Sequence, residues 1–449
     1  MNNIKKTSWS LSLILVVVTM ILGCGKEPRQ LKVVKLTQAL ADVAKRYNEI
    51  YPFENGVAFC SNGDRNYLYI DTEGNIVDNK PSINFSGEYE SIQYLPEDSI
   101  YILEKVYRDF AIIIKTEYYI ADMQGHILTQ YERAGWYDDR ISEKDQKPKF
   151  TEGLCGLVDS TGAFYIDRQG NRVLDGYKWA FPFIDGIAMV QTKNNECVFI
   201  NHQGERVGKG LVGVPGYRSK DQDRKILYYE HGLAVFEGSG GLCGLYDIKN
   251  DRQLIAPQYH HIRQISSDGQ LLVVERYKDL NDFAFTHITG VITIDGREVL
   301  PCKYAGAEFA NGLIVLEEVS DDKDLRSFST GCVYGVFDSK GKEVLPLKYS
   351  EVTVFEHCIR VEKKRELKGL YSLDGSKLLP CKYYYIGEEH DYLLKVQETR
   401  EGLMGYYDAD GIERIKPIYD QGNDFSEGLA FVKKNGVGGF VNAAGEDTF

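Results

Sequence analysis

The sequence is poor in the residues and motifs that carry most enzyme chemistry. Its 449 residues include only 8 His, 5 Met and 3 Trp. It contains no His-Glu-x-x-His, Cys-x-x-Cys or Gly-x-Ser-x-Gly motif and no phosphate-binding glycine loop. These absences argue against the common metal-dependent, nucleophilic and nucleotide-binding classes. We therefore expect a non-enzymatic protein without a cofactor, and the sequence assigns no catalytic, cofactor-binding or metal-binding residue.

Basic side chains are outnumbered. The chain has 53 Lys and Arg against 66 Asp and Glu, which gives a formal net charge of −13 at pH 7. An acidic body repels polyanions such as nucleic acids and anionic lipid surfaces. We therefore expect no nucleic-acid partner.

The cysteines do not follow a disulfide or metal-ligand spacing. Most of them lie in apolar runs, and Cys302 and Cys381 both follow a Pro at the same place in two repeats. Buried free thiols are favoured over a disulfide framework. Besides Cys24, the cysteines are Cys60, Cys155, Cys197, Cys243, Cys302, Cys332, Cys358 and Cys381.

What the sequence does have is an internal repeat. One copy reads Gly335-Val-Phe-Asp-Ser-Lys-Gly341 and is followed by Pro346 and Tyr349. An Asp, Asn, Thr or Ser stands three residues before each turn position, as expected for a side chain that caps a tight turn. Glycine at nine of the ten turn positions predicts a positive φ there, and Asn is the next best residue for that conformation. The ten positions are Gly74, Gly125, Gly170, Gly204, Asn250, Gly296, Gly341, Gly375, Gly411 and Gly445.

The segments between the turns have strand character. They are short runs of Val, Ile, Leu, Tyr and Phe bounded by Gly, Pro, Asn and Asp, such as Phe183-Ile-Asp-Gly-Ile-Ala-Met-Val190. Each copy therefore predicts a small β-meander. The fold class is all-β, a repeat array of about ten units, for which a closed propeller-like body is slightly favoured over an open superhelical β-solenoid.

These residues resemble the WG (Trp-Gly) β-repeat family, whose unit runs Trp-Gly-Tyr-Ile-Asp-x-x-Gly and then Phe-x-x-Gly-Leu-Ala-x-Val. The resemblance covers about residues 53 to 445. The family's Trp is missing from every copy, since the only tryptophans are Trp9, Trp136 and Trp179. In the first four copies the family's Gly is also replaced. We therefore divide the repeat domain, 53–449, into degenerate repeats at 53–207 and regular repeats at 208–449.

Some repeats are longer than others. The basic unit is about 34 residues, and the extra residues of the longer copies fall in the same hairpin. Residues 276 to 289 and 317 to 333 are predicted to be excursions from that hairpin, and 208 to 227 and 132 to 149 are two further candidates. Because insertions in repeat proteins collect on one face, we expect these excursions to carry recognition.

The N-terminus reads as an export signal. Lys5 and Lys6 precede an apolar run that ends in Ile21-Leu-Gly-Cys24, which resembles a bacterial lipobox. Residues 1–23 are predicted to be a lipoprotein signal peptide and Cys24 to be the lipidation site. Because Gly25 rather than Asp follows Cys24, the sorting rule of similar lipoproteins predicts the outer membrane, on either its periplasmic or its surface side. Residues 24–52 are predicted to be a tether and a short helix, Lys35 to Tyr51, that docks on the array.

Several side chains could suggest chemistry, but a structural role is favoured for each. His260 and His261 are interpreted as a solvated strand end rather than as metal ligands. Glu388 to Asp391 is interpreted as a polar loop, and the repeated Asp residues as turn caps rather than calcium ligands. Tyr304, Tyr349, Tyr383 and Tyr419 are interpreted as packing residues. The sequence therefore predicts a lipid-anchored scaffold that binds a protein or other partner, with a glycan-binding or glycan-processing component of a surface polysaccharide system as the alternative.

Overall fold

We describe the protein from a computed structural model. The structure describes residues 31–54, 56–62, 67–77, 89, 91–95, 100–109, 112–122, 125–134, 148–208, 214–215, 225–238, 240–277, 287–320, 331–363 and 367–449. The predicted signal peptide and Cys24 lie outside these residues. Within the described part there is one helix, α1 (Gln38–Arg46), and none long and apolar enough to cross a bilayer.

The described strands form ten consecutive units of sheet, in which neighbouring strands are antiparallel except for one short parallel pair, Val214–Pro215 with residues 225–226. The first two units contain β1 (Glu49–Ile50), β2 (Val57–Ser61), β3 (Tyr67–Asp71) and β4 (Ile76–Val77), then β5 (Ser91–Leu95), β6 (Ile100–Asp109), β7 (Ile112–Ala121) and β8 (Ile127–Tyr131). Units 3 and 4 share one sheet, which contains β9 (Arg133–Ala134), β10 (Phe150–Thr151), β11 (Leu154–Asp159), β12 (Gly162–Ile166), β13 (Arg172–Ala180), β14 (Ala188–Thr192), β15 (Cys197–Ile200) and β16 (Arg206–Val207).

The later units are more regular. Unit 5 contains β17 (Val214–Pro215), β18 (Lys225–Glu230), β19 (Leu233–Glu237), β20 (Cys243–Asp247) and β21 (Arg252–Tyr259), and unit 6 contains β22 (His261–Ile265), β23 (Leu271–Tyr277), β24 (His287–Thr293) and β25 (Glu298–Tyr304). Unit 7 contains β26 (Gly306–Ala310), β27 (Leu313–Val319), β28 (Cys332–Phe337) and β29 (Glu343–Tyr349). Units 8 to 10 contain β30 (Glu351–Val354), β31 (Cys358–Lys363), β32 (Leu367–Ser372), β33 (Lys377–Tyr383), β34 (Tyr385–His390), β35 (Leu393–Gln397), β36 (Met404–Asp408), β37 (Glu413–Tyr419), β38 (Gln421–Gly422), β39 (Leu429–Lys434) and β40 (Val437–Asn442).

The prediction of an all-β array of small meanders is confirmed. In a regular unit, four strands follow one another as neighbours in the sheet, as in the order β26-β27-β28-β29. Unit 8 fits four strands between Glu351 and Tyr383 because its strands are only four to seven residues long. A 34-residue repeat is therefore long enough for a four-stranded unit.

The repeated glycine of strand three and the repeated Pro of strand four lie on paired strands, as Gly335 and Pro346 do in unit 7. Strand four lies at the edge of its sheet and has no further neighbour on its outer side. Pro346 lacks a backbone N–H, and at this edge no other strand needs that donor. The register of β28 and β29 shifts between Tyr334 and Val336, across Gly335, and again after Val336. A Cβ on Gly335 would lie 2.8 Å from the backbone nitrogen of Leu347. The irregular fourth strand thus crosses too closely for any side chain at this position.

Apolar clusters join neighbouring units. From unit 2 to unit 10, every two consecutive units share one such cluster. Tyr304, Tyr349, Tyr383 and Tyr419 are buried members of these clusters. Packing between sheets, rather than within one sheet, therefore supplies the core.

Helix α1 is shorter than the sequence predicted. It begins after Thr37, whose side-chain oxygen accepts the backbone N–H of Leu40, and it ends before Tyr47, which is extended. Residues 49–50 leave the predicted helix and tether segment and pair with β2 as the first strand of unit 1. The apolar face that predicted the helix is buried against the last unit, since Leu40 and Ala44 share a cluster with Phe431 and Phe440.

The excursions begin later than the sequence predicted. Strands β23 and β24 continue to the pair Tyr277 and His287, and strands β27 and β28 continue to the pair Val319 and Cys332. Residues 278–286 and 321–330, between those pairs, lie outside the described part. The ends of 276–289 and 317–333 are therefore strand residues and not loop residues. The candidates 132–149 and 208–227 also fall largely outside the described part.

Candidate functional site

Hairpin geometry divides each unit into two ends. In a four-stranded meander, the turns between strands one and two and between strands three and four lie at the same end. We call this end the turn face. Strands two and three are joined at the opposite end, which we call the far face. Strands β23 and β24 of unit 6 and strands β27 and β28 of unit 7 end there, and residues 278–286 and 321–330 connect them in the sequence.

The turn positions between strands three and four have the conformation that glycine favours. Their φ angles run from 77° to 88° at Gly74, Gly125, Gly170, Gly204, Gly296, Gly341, Gly375, Gly411 and Gly445. Most of these glycines also touch the preceding unit. A Cβ on Gly341 would lie 2.7 Å from the Val299 carbonyl oxygen, and one on Gly375 would lie 2.5 Å from that of Val344. These turns therefore serve as contact points between units.

The remaining turn, in unit 5, differs from the prediction of a positive φ at Asn250. Positive φ falls on Asp251, at 54°, and not on Asn250. The reason is one additional turn residue, because Asp247 pairs with Arg252 whereas Asp338 closes its turn on Lys342. Asn250 instead donates its side-chain amide to Asp247, at 2.8 Å.

The turn-capping role of the repeated Asp residues is visible in their hydrogen bonds. Oδ1 of Asp338 accepts the backbone N–H groups of Lys340 and Lys342, at 2.9 and 2.8 Å. Asp167 makes the same two bonds, and a hydrogen bond from the Asn171 amide holds the pKa of Asp167 below its usual value. These carboxylate oxygens are occupied by their own turns.

The turns between strands one and two link the units on the turn face. Six of them have two successive residues with positive φ, typical of a type I′ turn: Glu152-Gly153, Asp185-Gly186, His231-Gly232, Asn311-Gly312, Asp391-Tyr392 and Glu427-Gly428. The acidic side chain of one turn accepts a backbone N–H of the next unit's turn. Glu152 accepts from Gly186 at 3.0 Å, Asp185 from His231 at 2.7 Å and Asp391 from Gly428 at 2.6 Å.

The same link joins the last unit to the first. Glu427 accepts the backbone N–H of Gly56 at 2.7 Å, and the amide of Asn423 donates to the Ile50 carbonyl. The buried cluster at this junction combines Ala58, Cys60 and Ile70 of unit 1 with Leu429 of unit 10. Beside it lies a cavity of about 360 Å³ lined in part by Glu49, Lys395 and Lys433.

The segment before α1 lies on the turn face. The Lys32 carbonyl oxygen lies 2.6 Å from the position of a Cβ on Gly428. The Val34 carbonyl accepts the side-chain amide of Asn442 at 3.0 Å, and Thr37 donates to the carbonyl of Glu73. All three partners belong to turns at this end of their units, so the chain enters the body there.

On the far face, the structure brings together residues that the sequence had separated. His261, Glu275 and His287 place one ligand atom each within 4.8 Å of one another. Burial lowers the pKa of His261, and the neighbouring Arg263 guanidinium lowers it further. His260 is not part of this cluster. Its Nδ1 accepts the backbone N–H of Tyr277 at 3.2 Å. The sequence missed the cluster because His287 is 26 positions away from His261 and only the strand register unites them.

A second far-face feature is acidic. A cavity of about 540 Å³ lies between units 7 and 8, and Glu308, Glu317, Tyr334 and Glu351 contribute to its lining. These residues come from the first strands of both units and from the strand ends that lead to 321–330. The cavity therefore lies at the far-face end of units 7 and 8.

The remaining candidates have structural partners. The prediction of a polar loop at Glu388 to Asp391 is wrong for all but Asp391, because the other three residues end β34 and Glu389 and His390 pair with β35. Glu389 accepts the backbone N–H of His357 at 3.1 Å, and Asp391 accepts that of Gly428 in the turn of the next unit. The eight described cysteines are free. Burial raises the pKa of the Cys60 and Cys197 thiols to about 12, so both stay protonated and poorly reactive at neutral pH.

The geometry defines an all-β protein built from ten packed repeats, and comparison with known proteins agrees on the repeat type. Three segments, residues 164–197, 334–357 and 404–437, match the family described as WG containing repeat. The chain therefore carries WG-type repeats. No curated protein matches it.

Solved structures give weaker similarity. A eukaryotic initiation factor is 13% identical over 80% of this chain and 94% of that chain, with a TM-score of 0.41. BamB from Moraxella catarrhalis is 11% identical over 77% of this chain and 95% of that chain, with a TM-score of 0.32. TM-scores this low carry no argument about the architecture or function of this chain.

Proposed function

We propose that this protein is a non-enzymatic outer-membrane lipoprotein whose repeats form a rigid scaffold for binding a protein or other extracytoplasmic partner. The observation that carries the proposal is the junction between units 10 and 1. It uses the same turn-to-turn hydrogen bond and the same kind of apolar cluster as the internal junctions. Such packing supports a closed, propeller-like body, because closure leaves no terminal sheet face exposed.

The entry point of the chain supports an orientation at the membrane. Only six residues lie between Cys24 and Leu31, the first described residue, so a tether of roughly 25 Å at most joins a lipid on Cys24 to the turn face. The turn face then faces the bilayer. The far face, where β23, β24, β27 and β28 end, then faces away from the bilayer and is accessible to a partner.

Lipidation is tested by labelling cells with a fatty-acid analogue. Because acylation needs the Cys24 sulfur, Cys24→Ala should carry no label and should leave the membrane fraction or keep its signal peptide. Cys60→Ala is the matched control, since Cys60 is buried in unit 1. Equal labelling of wild type and Cys24→Ala would reject the lipoprotein assignment.

Partner binding is tested by shortening one excursion. Unit 10 shows how short this hairpin can be, because Lys434 and Val437 pair directly around Asn435-Gly436. Residues 320–331 would be replaced by Asn-Gly, and proteins captured from intact cells by wild type and variant would be compared. We expect an unchanged circular dichroism spectrum and loss of the partner. An unchanged set of captured proteins would move recognition away from this excursion.

The cavity between units 7 and 8 supports the second candidate, glycan binding. Carboxylates of Glu308, Glu317 and Glu351 can accept sugar hydroxyls, and the cavity is large enough for a small saccharide. Binding of purified surface polysaccharide to wild type but not to Glu317→Gln and Glu351→Gln would support this function. Binding that both variants retain would contradict it.

A further inference from the structure

The histidine cluster of unit 6 lies on one face of its sheet. Glu275 of β23 stands directly opposite His261 of β22, and Thr289 of β24 stands opposite Glu275 on the other side. His287 is two residues from Thr289 on β24, so its side chain projects to the same face. Three adjacent strands thus bring two imidazoles and one carboxylate together within 4.8 Å. Elsewhere in the described chain, no group of three or more His, Cys, Asp or Glu side chains is placed this closely.

One member of the cluster has an unmet hydrogen-bonding requirement. Nε2 of His287 is buried and has no hydrogen-bond partner. A buried nitrogen without a partner is destabilising, so a structure that retains it requires an explanation. The His287 ring is held between two aromatic neighbours, with ring centroids 5.2 Å from His261 and 4.6 Å from Tyr277.

The fold itself does not require these imidazoles. In unit 7 the strand pairing places Gly306, Glu317 and Cys332 at the positions of His261, Glu275 and His287. In unit 8, Glu362 occupies the position of Glu275 and forms an ion pair with Lys368. The carboxylate therefore recurs in successive units, whereas the pair of histidines belongs to unit 6.

We infer that His261, Glu275 and His287 form a binding site for a divalent transition-metal ion, with Zn²⁺ as the best-fitting ion. Two imidazole nitrogens and one carboxylate oxygen are a common protein ligand set for Zn²⁺ and leave one position for water or for a group from a partner. A tetrahedral site with bonds of roughly 2.0 Å needs ligand atoms roughly 3.3 Å apart, so the side chains must close slightly around the ion. This site goes beyond the proposed scaffold function and does not depend on it.

Arg263 forms an ion pair with the carboxylate of this site. Its Nε lies 2.9 Å from Oε2 of Glu275, although that oxygen receives no well-aligned hydrogen bond. The Arg263 side chain is 55% exposed, so it can move into solvent when a cation arrives. The ion pair must break before Glu275 binds a metal with that oxygen, so Arg263 competes with the ion. Bound metal would tie together β22, β23 and β24 on the far face, where β23 and β24 lead into 278–286.

The test is a metal titration of the purified full-length protein in detergent after treatment with a chelator. Zn²⁺ binding is measured by calorimetry, and Co²⁺ serves as the spectroscopic probe. We expect one ion per chain and a Co²⁺ spectrum of a four-coordinate nitrogen and oxygen site without thiolate charge transfer. His261→Ala, Glu275→Gln and His287→Ala should each weaken Zn²⁺ binding at least tenfold.

Two control variants make the result specific. His390→Ala removes a half-exposed histidine of unit 9 and should leave the affinity unchanged. Arg263→Gln removes the competing cation and should increase the affinity several-fold. If His287→Ala does not fold by circular dichroism, His287→Asn replaces it. The site is refuted if Zn²⁺ does not bind with one-to-one stoichiometry, if the three variants bind as wild type does, or if thiolate charge transfer shows cysteine ligation.

Discussion

At the scale of single residues, the turn glycines combine two separate constraints. All nine have positive φ, but only some of them also lie against the preceding unit. A Cβ on Gly296 meets nothing within 4 Å, whereas a Cβ on Gly341 lies 2.7 Å from the Val299 carbonyl oxygen. The two glycines have φ angles of 88° and 81°, so they form a matched pair that differs mainly in the contact.

We expect Gly296→Ala to lower the free energy of unfolding by about 1 kcal/mol, the cost of positive φ for a residue with a Cβ. Gly341→Ala should cost a further ~1–3 kcal/mol, because its Cβ overlaps backbone that cannot rotate away. Denaturant unfolding of both variants measures the difference. Equal losses would mean that this turn does not contact the preceding unit.

The sequence correctly predicted positive φ at the nine turn glycines, but the same prediction for Asn250 was wrong. Both outcomes have the same physical reason. Glycine reports a backbone conformation directly, since few other residues adopt positive φ cheaply. Asn also adopts ordinary negative φ, so its presence does not fix the conformation. The additional turn residue, Asp251, can be recognised only from the pairing of Asp247 with Arg252. The proposed metal site is a similar case, because residue types alone do not show that three strands align His261, Glu275 and His287.

At the scale of the element, the capped turns should make the protein sensitive to acid. Hydrogen bonds lower the pKa of Asp167 and Asp268, with Asn171 and Ser266 as the main donors. A carboxyl group with a lowered folded-state pKa stabilises the fold above its unfolded pKa of roughly 3.9, and this stabilisation is lost as the pH falls through the folded value. The melting temperature should therefore fall as the pH is lowered from about 5 to 3.

Asparagine substitution separates the turn caps from other acid effects. Asn201 already accepts backbone N–H groups from Gln203 and Glu205 as an Asp does, at 3.0 and 2.9 Å. The variant Asp71→Asn with Asp167→Asn should keep both turns and show a smaller loss of melting temperature between pH 5 and pH 3. A loss identical to that of wild type would show that these two caps do not contribute to the acid sensitivity.

Helix α1 depends on a glycine of the last unit. A Cβ on Gly438 would lie 2.2 Å from the Ala44 carbonyl oxygen, whereas a Cβ on Gly436 meets nothing within 4 Å. We expect Gly438→Ala to displace the helix and to raise amide hydrogen exchange in residues 38–46, which mass spectrometry can measure. Gly436→Ala should leave that exchange unchanged. Unchanged exchange in Gly438→Ala would contradict the docking of α1 on β40.

The limits of the helix also show what sequence patterns miss. Apolar spacing predicted a helix from Lys35 to Tyr51, and its buried face is the predicted one. Its ends are set by interactions that the spacing does not contain. Thr37 caps the N-terminus, and pairing of residues 49–50 with β2 removes the last turn that the sequence predicted.

At the scale of the whole molecule, the repeat made the array of small sheets predictable but not the contact between its last and first units. Ten turn positions gave the number of units, and the tyrosines after each Pro are buried between units. The contact between Glu427 and Gly56 joins residues 371 positions apart, and no local pattern encodes such a separation. The excursions were placed in the correct hairpin, but their ends were not, since strands continue to Tyr277 and Val319.

If the junction between units 10 and 1 resembles the internal junctions, its turn-to-turn hydrogen bond should contribute as much to the free energy of unfolding as an internal one. Glu427→Ala removes the acceptor for Gly56, and Glu152→Ala removes the acceptor for Gly186. We expect both variants to lose about 1 kcal/mol in the free energy of unfolding. An effect for Glu152→Ala and none for Glu427→Ala would indicate that units 10 and 1 separate in solution.

The most direct test of the proposed closed scaffold is cryo-electron microscopy of the purified protein as single particles. We expect a ring of ten radial units, in which units 3 and 4 share one sheet and α1 packs on unit 10 beside unit 1. A continuous junction between units 10 and 1 in views along the ring axis would support it. An open or superhelical particle, with units 1 and 10 apart, would contradict it.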